Sequence, residues 1–146
     1  MLPVTADNVR IFLHILGATV WVGGQLMLAA LVPVLRRAAP EAVRPAARRF
    51  QMVAWPAYAL LLATGVWNLA ALGIDQSSEW LTTLTVKLGL VAVSGIAAAA
   101  HAFLTGPAVA RTQDETARRR QRALSGATAA LALLAALGAT FLGTLL

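Results

Sequence analysis

The sequence predicts an all-α fold: an integral membrane antiparallel four-helix bundle with both termini outside. Three observations predict it. Of 146 residues, 59% are hydrophobic and only 12% charged, and mean hydropathy is +0.73, too apolar to cover a soluble domain. The charges stop at four stretches of bilayer-spanning length, residues 11–35, 50–74, 80–104 and 123–146, interrupted by few titratable groups besides Lys87 and the two histidines. A backbone in lipid must also satisfy its own polar groups, which a helix does and an open strand does not. The short connections leave no room for a soluble domain. One transmembrane domain over residues 1–146 is expected, with helices at about 8–36, 47–73, 79–106 and 117–146.

The first span carries "VRIFLHILGATVWVGGQ", in which a titratable ring, His14, stands among apolar residues and glycines. The preceding "MLPVTADNVR" has no basic n-region and no small-residue cleavage site follows the span, so this helix is expected to be retained. In the second span Pro56 follows Trp55, a place for a bend and a freed carbonyl. The third span opens at Trp80, holds Lys87 and ends at His101 beside "FLTGP". The fourth has only Ser and Thr as polar groups and reads as scaffold. Trp67 and Trp80 fit an interfacial aromatic belt, whereas Trp21 is too deep for one.

Charge position sets the orientation. Arg36, Arg37, Arg44, Arg48 and Arg49 fill the first connection, and Arg111, Arg118, Arg119, Arg120 and Arg122 the third. The middle connection, "GIDQSSE", has Asp75 and Glu79 and no basic residue. By the positive-inside rule the first and third connections are cytoplasmic and both termini lie outside. The net charge of +6 therefore points to anionic lipid headgroups at the Arg-rich connections rather than to nucleic acid.

At about 1.5 Å per residue, His14 lies roughly 9 Å and Lys87 roughly 10 Å below the outer surface, while His101 lies roughly 30 Å along, near the cytoplasmic side. His14 and His101 are thus separated by about 20 Å along the membrane normal and cannot be axial ligands of one iron, whose two nitrogens stand about 4 Å apart. Along the first helix His14, Gly17, Ala18, Trp21 and Gln25 share one face, and along the third Lys87, Ser94 and His101 recur every seven residues. Both lines are expected to face the interior, because an ionisable group turned to lipid is costly. Gly17, Gly23 and Gly24, with Gly89 and Gly95, fit close backbone approach or room for a flat ligand. Blander readings stand beside these: Lys87 as a snorkelling side chain, His14 and His101 as hydrogen-bonded packing residues.

The chemistry these groups allow is limited. With no cysteine, disulfides, iron–sulfur clusters and thiolate sites are excluded. With Met27 and Met52 as the only internal methionines, a layered Met route for Cu(I) is absent, yet His14 suits copper arriving from outside. Haem b is the other cofactor that fits, with His14 as axial ligand and Lys87, Trp21 or Gln25 at the other face or a propionate. The metal-ligating candidates are His14 and His101. Hydrolysis is disfavoured, because no carboxylate lies within a span.

Three stretches then carry a resemblance: "LHILGATVWVGGQLMLAALVPVLRR", "RRFQMVAWPAYALLLATGVWNLAALG" and "WLTTLTVKLGLVAVSGIAAAAH". A His followed by W-x-G-G, "RRF" entering the second helix, "TG" near its outer end and "KLxLV" on the third resemble the copper-resistance-D (CopD) membrane family. The resemblance implies a multi-pass protein of the bacterial inner membrane linked to copper uptake or homeostasis. His14 and Lys87 fall on the motif positions, whereas His101 stands where the family more often has a polar residue such as Asn. The same helices are similar to the haem-containing HemJ-type protoporphyrinogen oxidases, which implies roles for His14 and Lys87 in a haem-dependent oxidoreductase. Here "RRRQRALSGATAAL" departs from that family's N-E-x-P element. A structural membrane subunit without chemistry is the third reading. Expected partners are the bilayer and a periplasmic copper donor or a membrane redox partner; a homo-oligomer is left open.

Overall fold

The computed structural model describes residues 3–73, 77–105 and 114–146. Asp75, Arg111 and the "GP" after Thr105 lie outside the described residues. The all-α class holds: four helices are long and apolar enough to cross a membrane, and among the described residues there is no strand.

Helix α1 is Ala6–Ala38, α2 is Pro40–Leu72, α3 runs from Ser78–Ala99 through a π-helical turn at Ala100–Thr105, and α4 is Glu115–Leu142. Local chemistry sets the ends. Thr5 and Asn8 form a reciprocal capping box at the start of α1, and the Asp114 carboxylate accepts the Ala117 amide at 2.7 Å at the start of α4. Gly73, at φ +79°, ends α2 in a conformation that disfavours side chains.

The second helix begins seven residues before the expected 47. Pro40 sits at its first turn, where a missing N–H costs nothing, and Ala39 alone breaks the helix before it. Arg44, Arg48 and Arg49 therefore stand on a helix and not in a connection. Pro45 and Pro56 lie inside a continuous α2.

The chain divides into two compact units, Met1–Asp75 and Gln76–Leu146. In the first, α1 packs on α2 with paired residue numbers falling on one helix as they rise on the other: Arg10 with Asn68, His14 with Thr64, Gly17 with Leu61 and Ala57. That order is an antiparallel hairpin. Its seam on α2, Ala54, Ala57, Leu61, Thr64 and Asn68, repeats in steps of three and four. Gly17 permits the contact: a Cβ there would stand 3.1 Å from the Ala57 carbonyl oxygen and 3.2 Å from the Leu61 nitrogen.

The second unit is a like hairpin of α3 and α4. Lys87 meets Gly143, Leu90 meets Gly138, the Ser94 hydroxyl donates to the Ala132 carbonyl at 2.8 Å, and His101 meets Ser125. Ala132, Ala135, Ala136 and Ala139 bury the α4 side of this seam. Away from the seams the helices present bulky apolar residues such as Phe12, Ile96 and Leu134.

Candidate functional site

The α1–α2 seam gathers the polar groups of the first unit. Thr64 is 2% exposed, and its hydroxyl donates back to the Leu60 carbonyl at 2.7 Å, one turn earlier on α2. A hydroxyl has one proton, and an oxygen–oxygen distance that short requires it to lie there. The His14 Nδ1, 2.9 Å from the same oxygen, must then be the donor. In the neutral ring this arrangement puts the hydrogen on Nδ1 and the lone pair on Nε2. Metal-ligating imidazoles are held in that manner, with one ring nitrogen given to a neighbouring acceptor and the other to the metal. Gly65 faces the ring, and a Cβ there would lie in ordinary contact with it, 3.7 Å from His14 Cε1.

One turn toward the start of α1 stands Arg10, which sequence reasoning passed over. Its side chain is only 2% exposed although it lies four residues from the start of α1. Nη2 donates to Asp7 Oδ1 at 3.0 Å and Nη1 to the Asn68 carbonyl at 3.4 Å, while Nε has no partner among the described residues. Asp7 itself is 70% exposed, so the pair joins a buried cation to a solvated anion.

One and a half turns below His14, α1 passes through a π-helical turn, Thr19–Gly23, which carries Trp21. Trp21 is 3% exposed and packs on Trp55 and Tyr58 of α2, with ring centroids 5.7 and 4.4 Å away. Gln25 Nε2 donates to the Trp21 carbonyl at 3.1 Å, inside the stretch where the regular ladder changes. Gly24 lies against the Phe50 ring.

Of the expected site residues, the structure places His14, Trp21 and Gln25 in the first unit and Lys87 and His101 in the second. The Lys87 ammonium lies against Gly143, which ends α4; a Cβ on Gly143 would be 3.2 Å from Nζ. A cation there faces the negative end of the α4 macrodipole. His101, in the π-helical turn that ends α3, donates from Nδ1 to the Ser125 carbonyl at 2.9 Å. Among the described residues no three His, Cys, Asp or Glu side chains cluster so as to hold a metal ion.

Thr64 and Arg10 are the residues that sequence reasoning missed. A signal existed for Thr64 in the three-and-four spacing of small and polar residues along α2, and for Arg10 in its place four residues before His14 on the same face.

A family model described as copper resistance protein D (CopD) matches residues 44–142, well over half of the chain. The matched stretch takes in Thr64, Lys87 and His101, and begins after His14. No curated protein and no solved structure matches the chain.

Proposed function

The chain belongs to the copper resistance protein D family and is a multi-pass membrane protein; from that premise we propose that it takes up copper, or controls its level, through His14 in the outer half of the first unit. The observation that supports this reading is the His14–Thr64 bond, which engages Nδ1 and makes Nε2 the ring nitrogen that would meet a metal. Cu(I) accepts imidazole, and a single protein nitrogen suits an ion that is passed on rather than one kept in a closed cage. The Asp7 carboxylate, exposed at the outer end of α1, neutralises Arg10 and so lowers the repulsion that a cation approaching His14 meets.

A second reading rests on Arg10. A guanidinium buried one turn from an imidazole, with Nε unpartnered among the described residues, suits a ligand that has both a metal and an acidic group. Haem b is such a ligand: His14 would hold the iron and Arg10 a propionate, and the group would supply one-electron chemistry. In this reading the chain's own residues orient the porphyrin and shield it from water.

Both readings are tested on the detergent-purified protein by its absorption spectrum and by Cu(I) stoichiometry under reducing conditions, each with His14→Gln beside it. Copper binding that His14→Gln abolishes supports uptake. A Soret band that the same substitution removes supports the haem reading. If neither ligand binds, the chain is a structural subunit.

A further inference from the structure

The first turns of α2 hold a feature that neither reading uses. Arg44, Pro45, Arg48, Arg49 and Met52 line a depression of about 490 Å³ on one side of this helix. Arg44 and Arg48 are one turn apart, and Arg49 stands one turn from Pro45 on the row beside them, so three cations line the depression. All three arginines are exposed, and among the described residues no carboxylate lies within ion-pair distance of them. The positive end of the α2 macrodipole adds to their field, since Ala39 provides no side-chain cap there.

The apolar part of the depression sets it apart from a plain basic patch. Met52, one turn deeper than Arg48, is 62% exposed, and Val53 beside it 59%. Arg49 is the last charge on α2, so at this level the helix passes from the headgroup region into hydrocarbon. A ligand that fills the depression therefore has phosphate at one end and alkyl chain at the other. Three guanidiniums without a carboxylate call for more than one negative charge, and a single phosphodiester brings one.

We propose that Arg44, Arg48 and Arg49, with Pro45 and Met52, form a binding site for a phospholipid whose headgroup carries two phosphates. The guanidiniums take the phosphate oxygens in forked hydrogen bonds, and an acyl chain lies along Met52. Such a lipid holds α2 at a fixed depth and tilt, and with it the Thr64 that orients His14.

The test uses the full chain in mild detergent and reads lipid retained through purification and on titration. The probes are diphosphatidylglycerol, phosphatidylglycerol, phosphatidylcholine and inorganic pyrophosphate. Diphosphatidylglycerol is expected to bind in preference to phosphatidylglycerol, and phosphatidylcholine to bind least. Each of Arg44→Gln, Arg48→Gln and Arg49→Gln should weaken it roughly fivefold and the triple variant on the order of a hundredfold. The equal charge change Arg119→Gln, Arg120→Gln, Arg122→Gln should leave it unaltered. These positions are exposed, so the variants fold, which helical circular dichroism checks. An equal loss in the second triple variant would show only diffuse charge attraction and overturn the proposal. So would pyrophosphate that displaces the lipid at equal concentration, which would mark a soluble-anion site, or no preference among the lipids. None of these outcomes bears on copper or haem at His14.

Discussion

The imidazole Nδ1 of His14 and the hydroxyl of Thr64 stand 2.9 Å apart across the α1–α2 seam, and the hydroxyl proton is already given to Leu60. Thr64 is thus an acceptor for the ring and decides which nitrogen faces a ligand. Thr64→Val keeps the shape and removes the acceptor, and it should weaken Cu(I) binding by about 10- to 100-fold. Thr64→Ser, which keeps the oxygen, should stay within a few-fold of the parent. Competition against a Cu(I) chelator measures both. Equal affinities in all three proteins would contradict the role given to Thr64.

Asp7 and Arg10 yield an inverted expectation. Arg10 is the buried partner, yet Arg10→Met leaves behind an exposed carboxylate, which water solvates, and an Asn68 carbonyl that loses only a long bond of 3.4 Å. It should change stability by no more than about 1 kcal/mol. Asp7→Asn alters the exposed partner but strands a buried guanidinium, and should cost about 1–3 kcal/mol. Thermal unfolding in detergent compares them. A more damaging Arg10→Met would show that the ion pair itself holds the seam.

Two glycines on α1 should respond in opposite ways. A Cβ at Gly17 would press on backbone atoms of Ala57 and Leu61, which cannot swing aside, so Gly17→Ala should destabilise by about 1–3 kcal/mol. A Cβ at Gly23 meets nothing within 4 Å, so Gly23→Ala should be neutral or add up to about 1 kcal/mol. Unfolding of the two variants side by side is the check; similar losses would mean that α1 and α2 do not touch at Gly17.

Sidedness can be read directly from single-cysteine variants, since the chain itself has no cysteine. Arg119→Cys should react with an impermeant thiol reagent only from the cytoplasmic side, and Ser77→Cys only from the periplasmic side. The reverse pattern would place His14 at the inner surface and remove the uptake proposal.

The class and the spans were legible because composition, hydrocarbon thickness and backbone hydrogen bonding leave few alternatives. The inward face of α1 was legible as well: His14, Gly17 and Trp21 keep the helical period, and the hairpin seam runs along it. Arg10 escaped notice because a charge near a helix start reads as an interfacial residue, and only packing against α2 shows that it is buried. The start of α2 at Pro40 was hidden by its arginines, which read as a connection until the proline is taken as a first-turn residue. The π-helical turns at Thr19–Gly23 and Ala100–Thr105 have no marker in residue type, because they arise from how each helix meets its neighbour.

The central claim concerns one nitrogen, His14 Nε2, and the chain's two histidines make it directly observable. Histidine-selective ¹⁵N NMR of the purified protein, with His14→Gln for assignment, reads protonation at each ring nitrogen with and without Cu(I). The predicted result is a hydrogen on His14 Nδ1 throughout and a large shift of Nε2 when copper is added. A hydrogen on Nε2 in the metal-free protein, or a His14 signal that copper leaves unmoved, would contradict it.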